Sequence, residues 1–137
     1  MTGVQTCALP IYFDLNGFKK LNDTKGHKDG DALLAWVGQA VRESLRDVDF
    51  GCRYGGDEFC LIMPRTSPKQ AQVVYDRFLK AYDAGTSHDV TFSAGLAQLG
   101  PDEYPHPDTL IKSADEAMYK AKAKAKAKPG HYLEIAK

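Results

Sequence analysis

The chain has 137 residues, a length that suits one domain with a single hydrophobic core. Lysine plus arginine and aspartate plus glutamate number 18 each, so the formal net charge of zero offers no global basic field for a nucleic acid polymer. No apolar run of the sequence approaches the ~20 residues that cross a bilayer. Three cysteines without metal-like spacing fit a reducing, cytoplasmic setting.

The first eleven residues, MTGVQTCALPI, resemble the in-frame translation of a common sequencing adapter. We therefore interpret residues 1–11 as an adapter-derived scar and residues 12–137 as natural sequence, which predicts that the natural protein continued upstream. A signal peptide is the alternative, but the segment has no basic n-region and its apolar stretch is short. Pro10 lacks an N–H group and should cost one hydrogen bond if this segment completes a central strand.

Hydrophobic periodicity, turn residues and helix caps predict nine elements in the order β-α-α-β-β-α-β-α-β. In chain order, they cover residues 8–13, 16–23, 30–46, 50–54, 59–63, 68–82, 88–99, 108–128 and 132–135. Ser67 and Gln70 supply a capping box for the third helix. This order predicts an α/β sandwich of the α+β type, in which helices flank a mostly antiparallel five-stranded sheet.

The predicted last helix has an apolar face that includes Ile111, and it ends in an alternating Ala-Lys run. Residues two apart on a helix lie roughly 200° apart, so the lysines form two stripes. Lys122 and Lys126 form one stripe, which could face a phosphate. The other stripe includes Lys124 and fits a solvated helix end, where the helix dipole favours cations.

Acidic residues lie at the ends of predicted strands. Asp14 follows the first strand, and Asp57 and Glu58 lie in the hairpin turn after Gly55 and Gly56. Neighbouring strands would bring these carboxylates together, and hard oxygen ligands at an open pocket suit Mg²⁺ and phosphoryl transfer. The glycines leave room for a nucleotide to approach the backbone. Taken alone, the turn fits a plain hairpin with solvated acids equally well.

Four sequence blocks occur together in a fixed order. They are FDLNGFKKLNDTKGHKDGDALL over 13–34, RYGGDEF over 53–59, TFSAGLA over 91–97 and ADEAMYKAK over 114–122. Together they resemble the GGDEF family of diguanylate cyclases, over residues 12 to about 122. The resemblance implies a fold like that of nucleotide cyclases and polymerase palms. It also implies a reaction that condenses two GTP molecules into cyclic di-GMP and releases pyrophosphate.

The resemblance further implies cofactors and partners. Two divalent ions, Mg²⁺ or Mn²⁺, would bind at each GTP site, and the two-fold symmetry of the product implies a homodimer. GTP and cyclic di-GMP are the implied ligands. An upstream sensory or receiver domain is expected in the full-length protein, which could attach to a membrane through such missing domains.

Individual residues acquire roles from the same resemblance. It assigns metal binding or catalysis to Asp14, the carbonyl of Leu15, Asp57 and Glu58, the last often linked to the second metal or to activation of the 3′-hydroxyl. The implied substrate-binding residues are Phe18, Lys19, Asn22, Asp31, Gly55, Gly56, Lys122 and Lys126. A carboxylate such as Asp31 can accept both N–H donors on the guanine edge, and a helix start can hold phosphate. The alternatives are that Asp31 is a helix-start acid and Asn22 a turn residue.

The sequence also departs from the family pattern. Asn16 replaces the second acid of the first block, a change that we do not expect to affect metal binding. Lys126 stands where the family has an arginine, so a bidentate phosphate contact becomes a point charge. The family's DxLTGLxNRR segment does not occur upstream. We therefore expect residues 12–137 to be a partial GGDEF catalytic domain that lacks its N-terminal segment and is marginally stable.

A second site is implied by Arg46 and Asp49, which form an R-x-x-D pattern ahead of the hairpin. In the family, this spacing marks an inhibitory site for the product, and Arg77 falls where a further arginine can contribute. Arginine suits the role because its guanidinium pairs with phosphate and stacks on guanine. The alternative is a helix-end arginine beside a turn aspartate.

Two other functions remain open at this point. The chain could be a non-catalytic module that binds GTP or cyclic di-GMP, although the intact RYGGDEF sequence argues against this. It could also be an inert truncated fragment. A thermal melt with and without GTP and Mg²⁺ would separate these alternatives, and detection of cyclic di-GMP after incubation with GTP and Mg²⁺ would be the most informative test.

Overall fold

A computed structural model describes residues 8–86, 89–100 and 104–136. Within these ranges, the helices and strands follow the predicted order. They are β1 Ala8–Asn16, α1 Phe18–Lys25, α2 His27–Ser44, β2 Phe50–Gly55, β3 Glu58–Pro64, α3 Pro68–Ala84, β4 Thr91–Leu96, α4 Pro107–Ala127 and β5 Tyr132–Ile135. None of the helices in the described ranges is long and apolar enough to cross a membrane.

The five strands form one sheet in the order β2-β3-β1-β4-β5. All neighbouring strands are antiparallel except β4 and β5, which are parallel. The predicted fold class is therefore confirmed. β1 occupies the centre of the sheet, so the residues at its C-terminal end are flanked by strands on both sides.

One face of the sheet packs against α2 and α3 around an aromatic cluster centred on Phe13. The Phe13 ring centroid lies 5.3 Å from that of Phe59, 5.2 Å from that of Phe78 and 5.4 Å from that of Phe92. Because successive side chains of a strand point to opposite faces, burial of Phe13 on this side directs its neighbour Asp14 to the other side. The core thus gives Asp14 a rigid support.

The opposite face is covered by α4, which lies directly on β4. A Cβ atom on Gly95 would lie 2.0 Å from the carbonyl oxygen of Ala114 and 2.4 Å from the amide nitrogen of Met118. Glycine at this position therefore permits the close approach of the two backbones. The prediction that Ile111 belongs to the buried face of this helix is wrong. Ile111 is exposed because it borders a cavity of about 420 Å³ instead of packing on the sheet.

The first strand differs from its prediction at both ends. It continues through Asp14 to Asn16, because Asn16 pairs with Thr91 of β4, so Asp14 lies within the strand and does not close it. At the other end, Ala97 donates a hydrogen bond to the carbonyl of Pro10 at 3.2 Å, and proline cannot return one. The expected loss of one hydrogen bond is thus seen. Ala8 still exchanges two backbone hydrogen bonds with Leu99, which lies beyond the end of β4.

Other boundaries shift by a few residues. The first helix begins at Phe18 because Gly17 adopts a left-handed conformation with φ of 83°, which favours glycine. The strand predicted over 88–99 is shorter, since β4 covers Thr91–Leu96, and residue 88 lies outside the described residues. Residues 1–7, most of the segment interpreted as a scar, also lie outside them.

Candidate active site

Three acidic residues meet where β1 passes the β2–β3 turn. Asp14 of β1 lies directly opposite Glu58 of β3, so their side chains share one face of the sheet. The N–H of Leu15 donates a 3.3 Å hydrogen bond to the carbonyl of Asp57, which ties the turn to the central strand. The structure therefore brings together the carboxylates that the sequence placed at two distant positions.

The electrostatics of this cluster show an excess of negative charge. The pKa of Asp57 is raised to about 6, first by burial and then by the charge of Asp14 and a hydrogen bond with it. Lys122 acts in the opposite direction but does not cancel these effects. A nearby cation would relieve the repulsion between the two carboxylates.

Lys122 of α4 supplies a positive charge at the cluster. Its Nζ atom lies 2.5 Å from Oδ2 of Asp14 and 5.3 Å from the ring centroid of Tyr119. Burial by itself lowers the pKa of Lys122, but the hydrogen bond to Asp14 and the charge of Asp14 outweigh burial and raise it. Lys122 thus faces the acidic cluster. It belongs to the stripe of Lys122 and Lys126, which the sequence pattern indicated could face a phosphate.

The residues present fit a divalent metal. Oδ1 of Asp14 is buried and has no hydrogen-bond partner among the described residues, so it is an oxygen available to a ligand. In the part of the chain that the structure describes, no group of three or more His, Cys, Asp or Glu side chains could hold a metal ion by itself. A bound ion would need further oxygens from a backbone carbonyl, water or a phosphate, as is usual for Mg²⁺.

The two residues implied for guanine binding lie on α1 and α2. Asn22 of α1 contacts α2 at Gly30, because a Cβ atom on Gly30 would lie only 1.8 Å from Oδ1 of Asn22. That oxygen is buried without a hydrogen-bond partner among the residues described. Asp31 follows Gly30 and is exposed. The structure thus places the unsatisfied amide oxygen of Asn22 against Gly30. The accessible carboxylate of Asp31 belongs to the next residue of α2.

Two of the residues implied for phosphate binding lie just after the C-terminal end of β1. Phe18 and Lys19 are the first residues of α1, immediately after Gly17. The free N–H groups at the start of this helix therefore lie just beyond β1, the strand that carries Asp14. Lys126 is exposed one turn after Lys122. Gly55 ends β2, and a Cβ atom there would come within 3.7 Å of Oε2 of Glu58.

Lys124 agrees with the sequence prediction for the second lysine stripe. Its side chain is exposed in the last turn of α4, and its Nζ atom also forms an ion pair with Glu134 of β5. The cause is the parallel pairing of β5 with β4, which places Glu134 next to the last turns of α4. This contact links the C-terminal strand to the helix that carries Lys122.

Asn16 has a structural role that was not predicted from the sequence. Its Nδ2 group donates a 3.1 Å hydrogen bond to Oγ1 of Thr91, and its Oδ1 accepts a 2.9 Å bond from the hydroxyl of Ser93. Both partners belong to β4, so Asn16 fixes the end of β1 two residues after Asp14. The alternating polar residues of the TFS sequence were the signal that could have indicated this contact.

The second predicted site forms a closed cluster at the end of α2. Nε and an NH2 group of Arg46 donate hydrogen bonds of 2.9 and 2.7 Å to the two carboxylate oxygens of Asp49, and Arg46 also contacts Thr66 at 2.6 Å. Burial of Asp49 favours the neutral acid, but the hydrogen bonds from Arg46 outweigh this and lower its pKa. Arg77 donates a 2.6 Å bond to the carbonyl of Ser44 and lies close enough to favour the Asp49 carboxylate.

Comparison with known proteins shows which family the chain is similar to. A protein-family model described as "Diguanylate cyclase, GGDEF domain" matches residues 3–128, a range that overlaps the segment interpreted as a scar. The chain is 36% identical over 122 residues to the response regulator PleD of Caulobacter vibrioides, covering 82% of this chain and 26% of PleD. It is 31% identical over 121 residues to the diguanylate cyclase DosC of Escherichia coli, covering 85% of this chain and 26% of DosC.

Solved structures show the same similarity. The crystal structure of the GGDEF domain of YfiN from Pseudomonas aeruginosa has a TM-score of 0.82 at 28% identity, covering 96% of this chain and 83% of that one. The GGDEF domain of DgcB from Caulobacter crescentus, crystallised in complex with c-di-GMP, has a TM-score of 0.73 at 26% identity, covering 95% and 78%. The chain spans only about a quarter of the curated relatives PleD and DosC.

Proposed function

Because the chain belongs to the GGDEF family of diguanylate cyclases, we propose that it condenses two GTP molecules into cyclic di-GMP and releases pyrophosphate. The observation that carries this proposal is the meeting of Asp14 with the Asp57–Glu58 turn, beside Lys122. Phosphoryl transfer requires little of a protein beyond positioning and the cancellation of charge on the reacting oxygens, and this cluster can provide both.

The acidic cluster would hold the metal ions of the reaction. Asp14, Asp57, Glu58 and the carbonyl of Leu15 are the proposed ligands for two divalent ions per GTP, Mg²⁺ or Mn²⁺. Such ions would neutralise phosphate charge and favour deprotonation of the attacking 3′-hydroxyl. The unpartnered Oδ1 of Asp14 and the raised pKa of Asp57 support this assignment, because both describe carboxyl groups that would gain from a cation.

The nucleotide would extend from the acidic cluster towards α1 and α2. Asp31 would accept the two N–H donors of guanine, and the Asn22 amide would complete the base contacts. The free N–H groups of Phe18 and Lys19 would hold phosphate oxygens. Lys122 and Lys126 would add positive charge, and Gly55 with Gly56 would let the nucleotide approach the turn.

The symmetry of the product sets the proposed assembly. Each domain would bind one GTP, and two copies would meet so that each 3′-hydroxyl attacks the α-phosphate held by the other. The cluster of Arg46, Asp49 and Arg77 would bind the product as a separate inhibitory site. Since the relative PleD is named a response regulator, an upstream regulatory domain is a further part of the proposal for the full-length protein.

A turnover assay tests the proposed reaction. Purified protein would be incubated with GTP and Mg²⁺, and cyclic di-GMP would be measured by liquid chromatography. We expect product from the native sequence and from Asp76→Asn, which alters an exposed carboxylate on α3. Asp57→Asn should yield none, because a metal ligand is lost. GTP binding without product in the native protein would indicate a binding module instead, and absence of both would indicate an inert fragment.

A further inference from the structure

The ion pair between Lys122 and Asp14 occupies Oδ2, one of the two carboxylate oxygens of Asp14, while Oδ1 has no partner among the described residues. Nζ of Lys122 lies 2.5 Å from Oδ2 of Asp14, a distance comparable to the ~2.1 Å between Mg²⁺ and its oxygen ligands. An ammonium group at Oδ2 prevents a divalent ion from binding that oxygen. It also repels an ion that binds through Oδ1 alone, because the two cations would lie on one carboxylate. In the protein without nucleotide, the lysine therefore competes with a metal for Asp14.

The lysine is held in this position by its surroundings. Its aliphatic stem comes from α4, whose backbone rests on Gly95 of β4, and its ammonium group also lies over the Tyr119 ring. The Lys122 side chain is 29% exposed and the Asp14 side chain 9%, so solvent screens the pair only in part. The contact is thus a partly buried ion pair and differs from a surface pair of little energetic effect.

The same side chain can also serve a second partner. A lysine ammonium is a point charge on a flexible four-carbon stem with three donors, so it can move between a carboxylate and a phosphate oxygen without any displacement of the helix. A triphosphate bound at the start of α1 would carry several negative charges and would attract Lys122 away from Asp14. Oδ2 of Asp14 would then be free for a metal.

We propose that Lys122 is an internal counter-ion that occupies the place of the metal at Asp14 until GTP binds. The domain would then bind divalent ions weakly alone and tightly in the presence of nucleotide, and metals would strengthen nucleotide binding by the same factor. This inference rests on the proposed function, because it takes the acidic cluster to be the metal site for GTP.

Titration with Mn²⁺ without nucleotide tests the inference directly. The free Mn²⁺ signal in electron paramagnetic resonance would be measured for the native protein, Lys122→Met and Lys120→Met. Lys120 is exposed on the same helix and serves as the matched control. We expect Lys122→Met to bind Mn²⁺ about tenfold more tightly than the native protein, within the usual range of coupling between sites. Lys120→Met should equal the native protein, and Lys122→Gln would replace the methionine variant if that one does not fold.

A second titration, with a GTP analogue whose α,β-bridging oxygen is a methylene group, separates the two proposals. The analogue should raise the Mn²⁺ affinity of the native protein and of Lys120→Met. In Lys122→Met, the increase in Mn²⁺ affinity should be much smaller. Equal Mn²⁺ affinity of the native and Lys122→Met proteins without nucleotide, with the analogue still effective, would overturn the counter-ion role alone. Failure of all variants to bind Mn²⁺, with or without the analogue, would overturn the proposed function together with this inference.

Discussion

The amide oxygen of Asn22 lies 1.8 Å from the point where a Cβ atom on Gly30 would stand. The Asn22 side chain can therefore pack against the second helix only because residue 30 is a glycine and has no side chain. The contact fixes the orientation of an amide that has no hydrogen-bond partner among the described residues. It also connects the two helices that carry the proposed guanine-binding residues. A methyl group at residue 30 would have to displace the amide.

Gly30→Ala should therefore weaken GTP binding and destabilise the domain. Overpacking of a tight contact usually costs about 1–3 kcal/mol in the free energy of unfolding. Gly38 provides the control, because it lies in the same helix and a Cβ atom there would meet nothing within 4 Å. Gly38→Ala should raise stability by about 0.5–1 kcal/mol. Denaturant unfolding and calorimetric titration with GTP would measure both effects, and equal stability changes in the two variants would contradict the contact.

Asp31→Asn should weaken GTP binding by about 1–3 kcal/mol, the usual cost of an unpaired polar group. The reason is that an amide offers one acceptor and one donor to a guanine edge that presents two donors. Asp29→Asn is the control, since Asp29 is the acid in the first turn of the second helix and lies two residues before Asp31. If Asp31 acts only through the helix dipole, both variants should lower the melting temperature alike and leave the GTP affinity unchanged.

Asp57→Asn should make the metal-free protein more stable above about pH 6. A carboxyl whose pKa is raised from 3.8 to about 6 contributes stability that is complete below pH 3.8 and is lost as the pH rises through 6. Asparagine avoids that loss, and the gain should be below about 1 kcal/mol because solvent screens a half-exposed carboxylate. In the presence of a chelator, the melting temperatures of the native protein and Asp57→Asn should be equal at low pH, and that of the variant should be higher at about pH 7.5. A less stable variant at the higher pH would refute the repulsion between Asp57 and Asp14.

Arg46→Ala should relieve inhibition by cyclic di-GMP without lowering the initial rate. The structure adds a second effect, because the Asp49 side chain is fully buried and would lose the hydrogen bonds from Arg46. We expect a loss of about 1–3 kcal/mol in the free energy of unfolding. Initial velocities against added cyclic di-GMP would be compared with those of Arg42→Ala, an exposed arginine in the last turn of the second helix, which ends two residues before Arg46. Identical inhibition of all three proteins would remove Arg46 from the product site.

Asn16→Ala should destabilise the domain by about 1–3 kcal/mol, because the buried hydroxyl of Ser93 would lose its acceptor. Asn16→Asp should cost less. An aspartate still accepts from Ser93, and the hydroxyl of Thr91 can turn to donate to it. Urea unfolding would rank the three proteins. An alanine variant as stable as the native protein would show that this contact does not support the end of the first strand.

The order of the helices and strands was predictable because the apolar residues of each buried face recur at a regular spacing along the chain. The alternation from Leu9 to Leu15 and the helical spacing of the second and third helices are local patterns. Features that depend on distant residues were not predictable. The first strand extends to Asn16 through a contact with Thr91, 75 residues away in the sequence. The exposure of Ile111 depends on which part of the last helix the sheet covers.

The candidate site was predictable in its residues and less so in its contacts. Motif spacing indicated Asp14, Asp57 and Lys122, because each belongs to a block with a fixed order. It could not show that Lys122 pairs with Asp14, or that Arg46 is already engaged by Asp49, since side-chain partners are set by the packing of separate elements.

The close contact of the last helix with Gly95 limits the kinds of motion open to Lys122. Backbone atoms of Ala114 and Met118 stand within 2.4 Å of the missing Cβ position, so the helix cannot slide along the strand without a collision. A change of partner by Lys122 therefore requires only rotation about its side-chain bonds. Such rotations take picoseconds to nanoseconds, whereas shifts of whole helices take microseconds to milliseconds. The exchange of a carboxylate for a phosphate at this lysine would then be too fast to limit the rate of the reaction.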